Sequence, residues 1–200
     1  MSTPLVHRFV ESMEMNHERW HDGTGYDLGL LETALPEELK QIEDLLLSRG
    51  VRDWRDVEAL AALDTGMTRA RLRETLAGSD LELKLALALH AENLLSGEEI
   101  LAILLPILRE RGFQDGLTGA LLVVEEFHPP AIIEALLDGA LHREGPVAME
   151  FATMLLFLHG RIASLYEMEE RPFLLRFLEE ERGAVFLELC DRIGVAATRP

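Results

Sequence analysis

His17-Glu18-Arg19-Trp20-His21 has the H-E-x-x-H spacing. On a helix the two histidines fall four residues apart on one face, where they can hold zinc while the glutamate activates a water for hydrolysis. A complete centre needs a third ligand, and Asp22, Asp27 and Glu43 are the nominees, none at a diagnostic distance along the chain. Thr24 stands where the extended metzincin pattern requires glycine. The same residues run into WHDGTGYDL, whose glycines and aspartates break any helix. Two further readings therefore use this stretch. In one it is a structured loop that tucks Trp20 and Tyr26 inward while Asp22 and Asp27 cap turns. In the other it is a binding loop in which Trp20, His21, Asp22, Tyr26 and Asp27 meet a partner, aromatics and carboxylates beside glycine being good recognition chemistry.

A second group of polar residues closes an apolar segment, Glu125-Glu126-Phe127-His128. Neighbouring carboxylates on a helix point about 100° apart and do not converge, which removes paired acid–base catalysis. A solvated helix end and an acidic binding ridge both remain open, the second with His90, Glu92 and Asn93 contributing from the preceding segment. His142 beside Arg143 and His159 near Arg161 read as surface or interface groups. Arg69, Arg71 and Arg73 are the densest basic feature, but their spacing fans them around a helix. No glycine-rich phosphate loop, nucleophile elbow or cysteine cluster occurs, and the single Cys190 in VFLELCDRI reads as a buried packing group.

The elements that would position these residues are helices. Leu, Ala and Glu outnumber β-branched residues and only 6% of the chain is aromatic. The segment Leu5 to about Trp20 can be helical but reads as poorly amphipathic. Pro36 starts PEELKQIEDLLLSR, with glutamates in the first turn, apolar Leu39, Ile42, Leu45 and Leu46 at helical spacing, and Gly50 as the stop. Asp53 is placed to cap WRDVEALAAL, with Trp54, Val57, Leu60 and Ala61 on one stripe.

The clearest unit is Met67 to Leu95, one amphipathic helix with Leu72 and Leu76 inward, a turn at Gly78, and a second, more apolar helix. Ser79 and Glu82 have capping-box spacing, and Ser96 and Glu99 repeat it. The alternation Leu81, Leu83, Leu85, Leu87, Leu89 imitates a strand, yet the intervening residues are not β-branched and the run is too long. It predicts a helix buried on nearly every side. Downstream, EEILAILLPILRER carries Pro106 inside it, which predicts a kink. Gly116, Pro129-Pro130 and Gly145-Pro146 then punctuate three more apolar segments. Second helices would open at Leu81, Leu117 and Val147, about 36 and 30 residues apart, the range of two-helix repeats.

The pattern LAALDT…LRETLAGSDLELKLALALH resembles the HEAT-repeat or armadillo-like family, over about Asp53 to Gly160, and Pro106 in a first helix agrees with it. The resemblance implies an all-α fold, a right-handed α-α superhelix of helical hairpins whose second helices line a concave face, with protein recognition more common than catalysis. The expected layout is one domain, 1–200, with an N-terminal helix and loop over 1–35, hairpin repeats over 36–160 and capping helices over 161–200. The polar run Glu179, Glu180, Glu181 and Arg182 suits a capping element.

Composition narrows the function. A net charge of −17 repels nucleic-acid backbones and anionic membrane surfaces, and it favours a basic protein or peptide partner. The start MSTPLVHRFVESMEM has no basic segment followed by a long apolar run, and no stretch of about 18 apolar residues follows. The expectation is a cytoplasmic, non-enzymatic scaffold of adaptor, antitoxin or immunity type, binding through Trp20, His21, Asp22, Tyr26, Asp27, His90, Glu92, Glu125, Glu126 and His128. The rival is a zinc-dependent hydrolase using His17, Glu18 and His21.

Overall fold

Proline, glycine and aspartate punctuation cuts the chain into short helices, and a computed structural model describes residues 3–15, 17, 21–78, 80–179 and 181–196. Among the described residues there are twelve α-helices and three 3-10 turns, with no strand. No helix among them is long and apolar enough to cross a membrane. The chain forms two compact units, Met1–Gly97 and Glu98–Pro200.

In the first unit α1 (Pro4–Ser12) starts on Pro4 and is capped by Thr3, whose hydroxyl oxygen accepts from the Val6 N–H at 3.4 Å. Contrary to the sequence reading, α1 is clearly amphipathic. Val6 and Phe9 stand three residues apart, Met13 follows four residues on, and all three are buried. Thr3 donates to Glu38 Oε1 at 2.5 Å, which ties α1 to the start of α3. A short α2 (Gly29–Thr33) then leads to α3 (Pro36–Arg49), which ends at Gly50 with φ +78°. Asp53 caps α4 (Trp54–Leu63) as the sequence indicates, accepting from the Arg55 N–H at 3.0 Å, and Asp64 closes that helix with φ +48°.

Next come α5 (Gly66–Gly78) and α6 (Leu81–His90), then a 3-10 turn at Glu92–Leu94. The alternating leucines do form a helix. Leu85, Ala86, Leu87 and Ala88 are buried in succession, which only a helix enclosed on most sides allows. Its cap is Asp80, whose carboxylate accepts from the Leu83 N–H at 3.0 Å; Ser79, to which the sequence assigns that role, lies outside the described residues. The helix also stops at His90, short of the expected Leu95. Packing joins alternate helices as well as successive ones: α3 lies against α5, and α4 against α6.

The second unit contains α7 (Gly97–Glu110), α8 (Leu117–Glu126), α9 (Pro130–His142), α10 (Pro146–Leu158), α11 (Arg171–Leu174) and α12 (Gly183–Ile193). Pro106 is accommodated inside a helix assigned without a break. The centre of this unit is α10, where Phe151 to Leu156 are all buried. It lies on α9 so closely that the Gly139 backbone faces the Phe151 ring. Arg143, which the sequence names only as the neighbour of His142, donates to the carbonyls of Leu108 at 2.8 Å and Arg111 at 2.6 Å. A guanidinium at a helix C-terminus satisfies carbonyls that have no partner within the helix and complements the dipole. Cys190 is buried, and burial pushes its thiol above the ordinary value, as expected of a packing residue.

Candidate functional site

The loop before α2 is fixed from beneath. Tyr26 is buried, meets Phe9 edge to face at 5.9 Å, and donates its hydroxyl to Asp56 Oδ1 at 2.8 Å. Asp56 has no exposure, and its other oxygen accepts from the Arg52 N–H at 2.9 Å. Burial, reinforced by the Asp56 carboxylate, pushes the Tyr26 phenol far above its ordinary range, so it stays a neutral donor. Tyr26 therefore sets the position of the loop and is absent from its exposed surface. Arg55 lies 5.2 Å over the same ring and pairs with Asp53 at 2.6 Å. Burial opposes ionisation of Asp53, but the Arg55 hydrogen bonds outweigh it and leave the carboxyl below its usual value.

Around this anchor the sequence-selected residues divide. Asp27 donates its N–H to Ser12 Oγ at 3.1 Å, and its carboxylate stands 3.9 Å from Arg8. His21 and Asp22 are exposed and adjacent, with Nδ1 3.2 Å from the Asp22 carboxylate. His17 and His21 present nearly parallel rings, 23° between planes and 6.5 Å between centroids. Glu18 and Trp20 lie outside the described residues. Among the described residues no group of three histidine, cysteine, aspartate or glutamate side chains is placed to hold a metal. Of the nominated third ligands, Glu43 is committed elsewhere, to Lys40 Nζ at 2.7 Å and to the Thr65 hydroxyl.

His90 is half-buried and stacks on Trp54 at 6.2 Å. Burial pushes its imidazole below the ordinary value, and Glu58 opposes that shift. The loop arrives at the same place: a Cβ on Gly25 would stand 2.7 Å from Glu58 Oε2 and 3.5 Å from the Trp54 ring, so a larger residue there requires the Glu58 carboxylate to move aside. The structure thus brings the loop and His90 together through Trp54 and Glu58, which the sequence reading leaves in the core stripe or unmentioned. Their i, i+4 spacing on α4 is the signal that points to them. Glu92 is exposed in the first unit. Glu125 is half-buried, and Glu126 and His128 are exposed in the second, with His128 Nδ1 3.0 Å from the Val124 carbonyl.

One open cavity of the first unit is not among the features the sequence reading selects. It is a groove of about 600 Å³ bounded by α2, α3 and the end of α4. Leu28, Leu31, Pro36, Leu39 and Leu63 form its apolar walls, and Glu32, Lys40, Glu43 and Thr65 its polar parts. Glu43, nearly buried, is held below the usual carboxylate value first by Lys40 and then by Thr65. Lys40 also reaches Asp44 at 2.9 Å, so this cation is already neutralised by two carboxylates. Glu32 and Glu37 are exposed, and the rim keeps an acidic surplus. The sequence signal is excess: LGLLETALPEEL holds more leucine than a five-residue helix can bury.

Compared with protein-family models, with curated proteins and with solved structures, the chain matches none.

Proposed function

We propose that this protein is a non-enzymatic helical scaffold that binds a basic protein or peptide segment, with the groove between α2, α3 and α4 as its receptor. The observation that carries the reading is the groove itself: about 600 Å³ with apolar walls and a rim of net negative charge, in a chain of net charge −17. Apolar anchors supply affinity, while complementary charge at a rim steers encounter and selects partners. A basic amphipathic helix offers both features, one apolar stripe and a cationic flank. The finer architectural reading is that the hairpins α3/α4 and α5/α6 are HEAT-like repeats of a right-handed superhelix. Support comes from alternate helices packing like with like, α3 on α5 and α4 on α6. Glu125, Glu126 and His128 are the acidic ridge of the second unit in this reading. An adaptor or an antitoxin-like neutraliser of a basic protein fits such a surface.

The test is fluorescence anisotropy with labelled amphipathic helical peptides of net positive, neutral and net negative charge. The basic peptide binds tightest, and its affinity falls as added salt shortens the screening length from about 10 Å at 0.1 M to about 3 Å at 1 M. Ala62 lines the groove and is exposed, so Ala62→Arg obstructs the groove without entering the core. This substitution weakens binding by about tenfold or more, equivalent to about 1.4 kcal/mol. Equal affinity for all three peptides, or an unchanged affinity in Ala62→Arg, defeats the proposal.

A further inference from the structure

His17 and His21 are exposed, both in helical backbone, and four residues apart. Their rings lie 23° from parallel with centroids 6.5 Å apart. A tetrahedral ion with metal–nitrogen bonds of about 2.0–2.1 Å sets two imidazole nitrogens roughly 3.3 Å apart and their ring centroids at about 5 Å. The present pair is therefore open by about 1.5 Å, a distance that exposed side chains close by turning about χ1 and χ2. Asp22 adds an independent feature. Its carboxylate is 3.2 Å from His21 Nδ1, a distance at which the Nδ1–H tautomer donates to it and keeps its lone pair on Nε2. A carboxylate behind a histidine is the usual device for fixing the tautomer and raising the basicity of a metal ligand.

We infer that His17 and His21 form a two-histidine site for an exchangeable first-row divalent ion of the zinc or copper class, with Asp22 as its orienting carboxylate. Imidazole nitrogen selects such ions over magnesium or calcium, which demand oxygen ligands. The protein supplies two ligands and water completes the coordination, so the ion exchanges freely and does not hold the fold together. The strongly acidic chain raises the local concentration of any cation. Hydrolytic chemistry is not part of the inference.

Other helical histidines make instructive controls. His7 pairs with Glu11 at 3.4 Å and His142 with Asp138 at 2.9 Å, each presenting one imidazole beside a carboxylate. The experiment is isothermal titration of the chelator-stripped full chain with Zn²⁺, Cu²⁺ and Mg²⁺, with far-UV circular dichroism confirming that each variant is folded. One Zn²⁺ or Cu²⁺ binds per chain, and Mg²⁺ does not. His17→Ala and His21→Ala each weaken binding by more than about tenfold, Asp22→Asn by roughly tenfold, and His142→Ala leaves it unchanged. Undiminished binding in the His17→Ala/His21→Ala double variant overturns the assignment, as does a native chain that shows no saturable one-to-one binding.

Discussion

Replacing Gly139 by alanine sets two effects against each other. In the last turn of α9, alanine is intrinsically the better helix former by up to about 1 kcal/mol. The space, however, is taken: a Cβ there would lie 2.1 Å from Phe151 Cδ2 and 2.2 Å from Cε2. Carbon atoms at rest stand about 3.5–4.0 Å apart, so the overlap is roughly 1.4 Å. Phe151 has no exposed surface into which to swing. The alternative is to separate α9 from α10 along the face where both are most buried, which opens voids beside Ala135, Leu136 and Ala140. Overpacking of this kind costs about 1–3 kcal/mol, and so deep an overlap belongs in the upper part of that range. After the helix-propensity gain, Gly139→Ala is destabilising by about 1–2 kcal/mol, which lowers the thermal midpoint by roughly 2–8 °C for a chain of this size. Circular dichroism at 222 nm during heating and in urea reads it directly. The cause is identified by the pair: in a Phe151→Leu background the alanine costs less, because the atoms it strikes are gone. A midpoint that rises in Gly139→Ala, as helix propensity alone demands, refutes the argument.

Tyr26→Phe keeps the ring against Phe9 but removes the side-chain donor on Asp56, a residue with no exposure, and leaves it the Arg52 N–H. An under-satisfied buried carboxylate costs about 1–3 kcal/mol, and urea unfolding followed by tryptophan fluorescence measures it. The folded-state value of His90 is lowered, so the folded state binds fewer protons and this contribution is complete above the unfolded value of about 6.5 and lost as pH falls below it. His90→Gln should flatten the stability profile just below pH 6.5, and an unchanged profile would show that His90 titrates alike in both states. Asp53 and Glu43, also lowered, act further down: their stabilisation is present above about pH 4 and disappears as pH falls through their folded values.

Element boundaries set by local chemistry are legible in the sequence. Pro36 and Gly50 delimit α3, and Asp53 opens α4, because each acts on backbone within a few residues of itself. The leucine alternation over Leu81–Leu89 is also legible, once length and side-chain branching are weighed against period. What escapes is non-local. Tyr26 and Asp56 are 30 residues apart, and nothing near either names the other. The Arg143 hydrogen bonds to Leu108 and Arg111 span 35 and 32 residues, so its structural role is equally hidden. The amphipathicity of α1 disappears when the segment is drawn as far as Trp20; within Pro4–Ser12 the spacing of Val6 and Phe9 is plain. The groove is invisible because it depends on what α2 fails to cover.

That failure links the buried latch to the proposed receptor. The Tyr26 side chain is fixed on Asp56, the Leu28 N–H donates to the Tyr26 carbonyl at 2.9 Å, and α2 begins at Gly29, so the wall carrying Leu28 and Leu31 starts within two residues of a rigid anchor. With only five residues, α2 cannot be stabilised by its own hydrogen bonds and is held by its attachments. The opposite wall, Pro36 and Leu39, belongs to α3, whose first turn is fixed by Glu38 accepting from the Leu35 N–H at 2.9 Å and from Thr3. Both walls are therefore positioned by buried or capped polar contacts outside the groove, and Leu28, Leu31 and Leu63 rest partly on the core of the first unit while they line it. A pocket held open in advance loses little conformational entropy when an anchor side chain enters, which favours binding over collapse of the walls onto each other. Loosening the latch in Tyr26→Phe should accordingly weaken binding of the basic peptide without altering a single groove residue, whereas an equal loss of stability introduced by Gly139→Ala in the second unit should leave that binding intact.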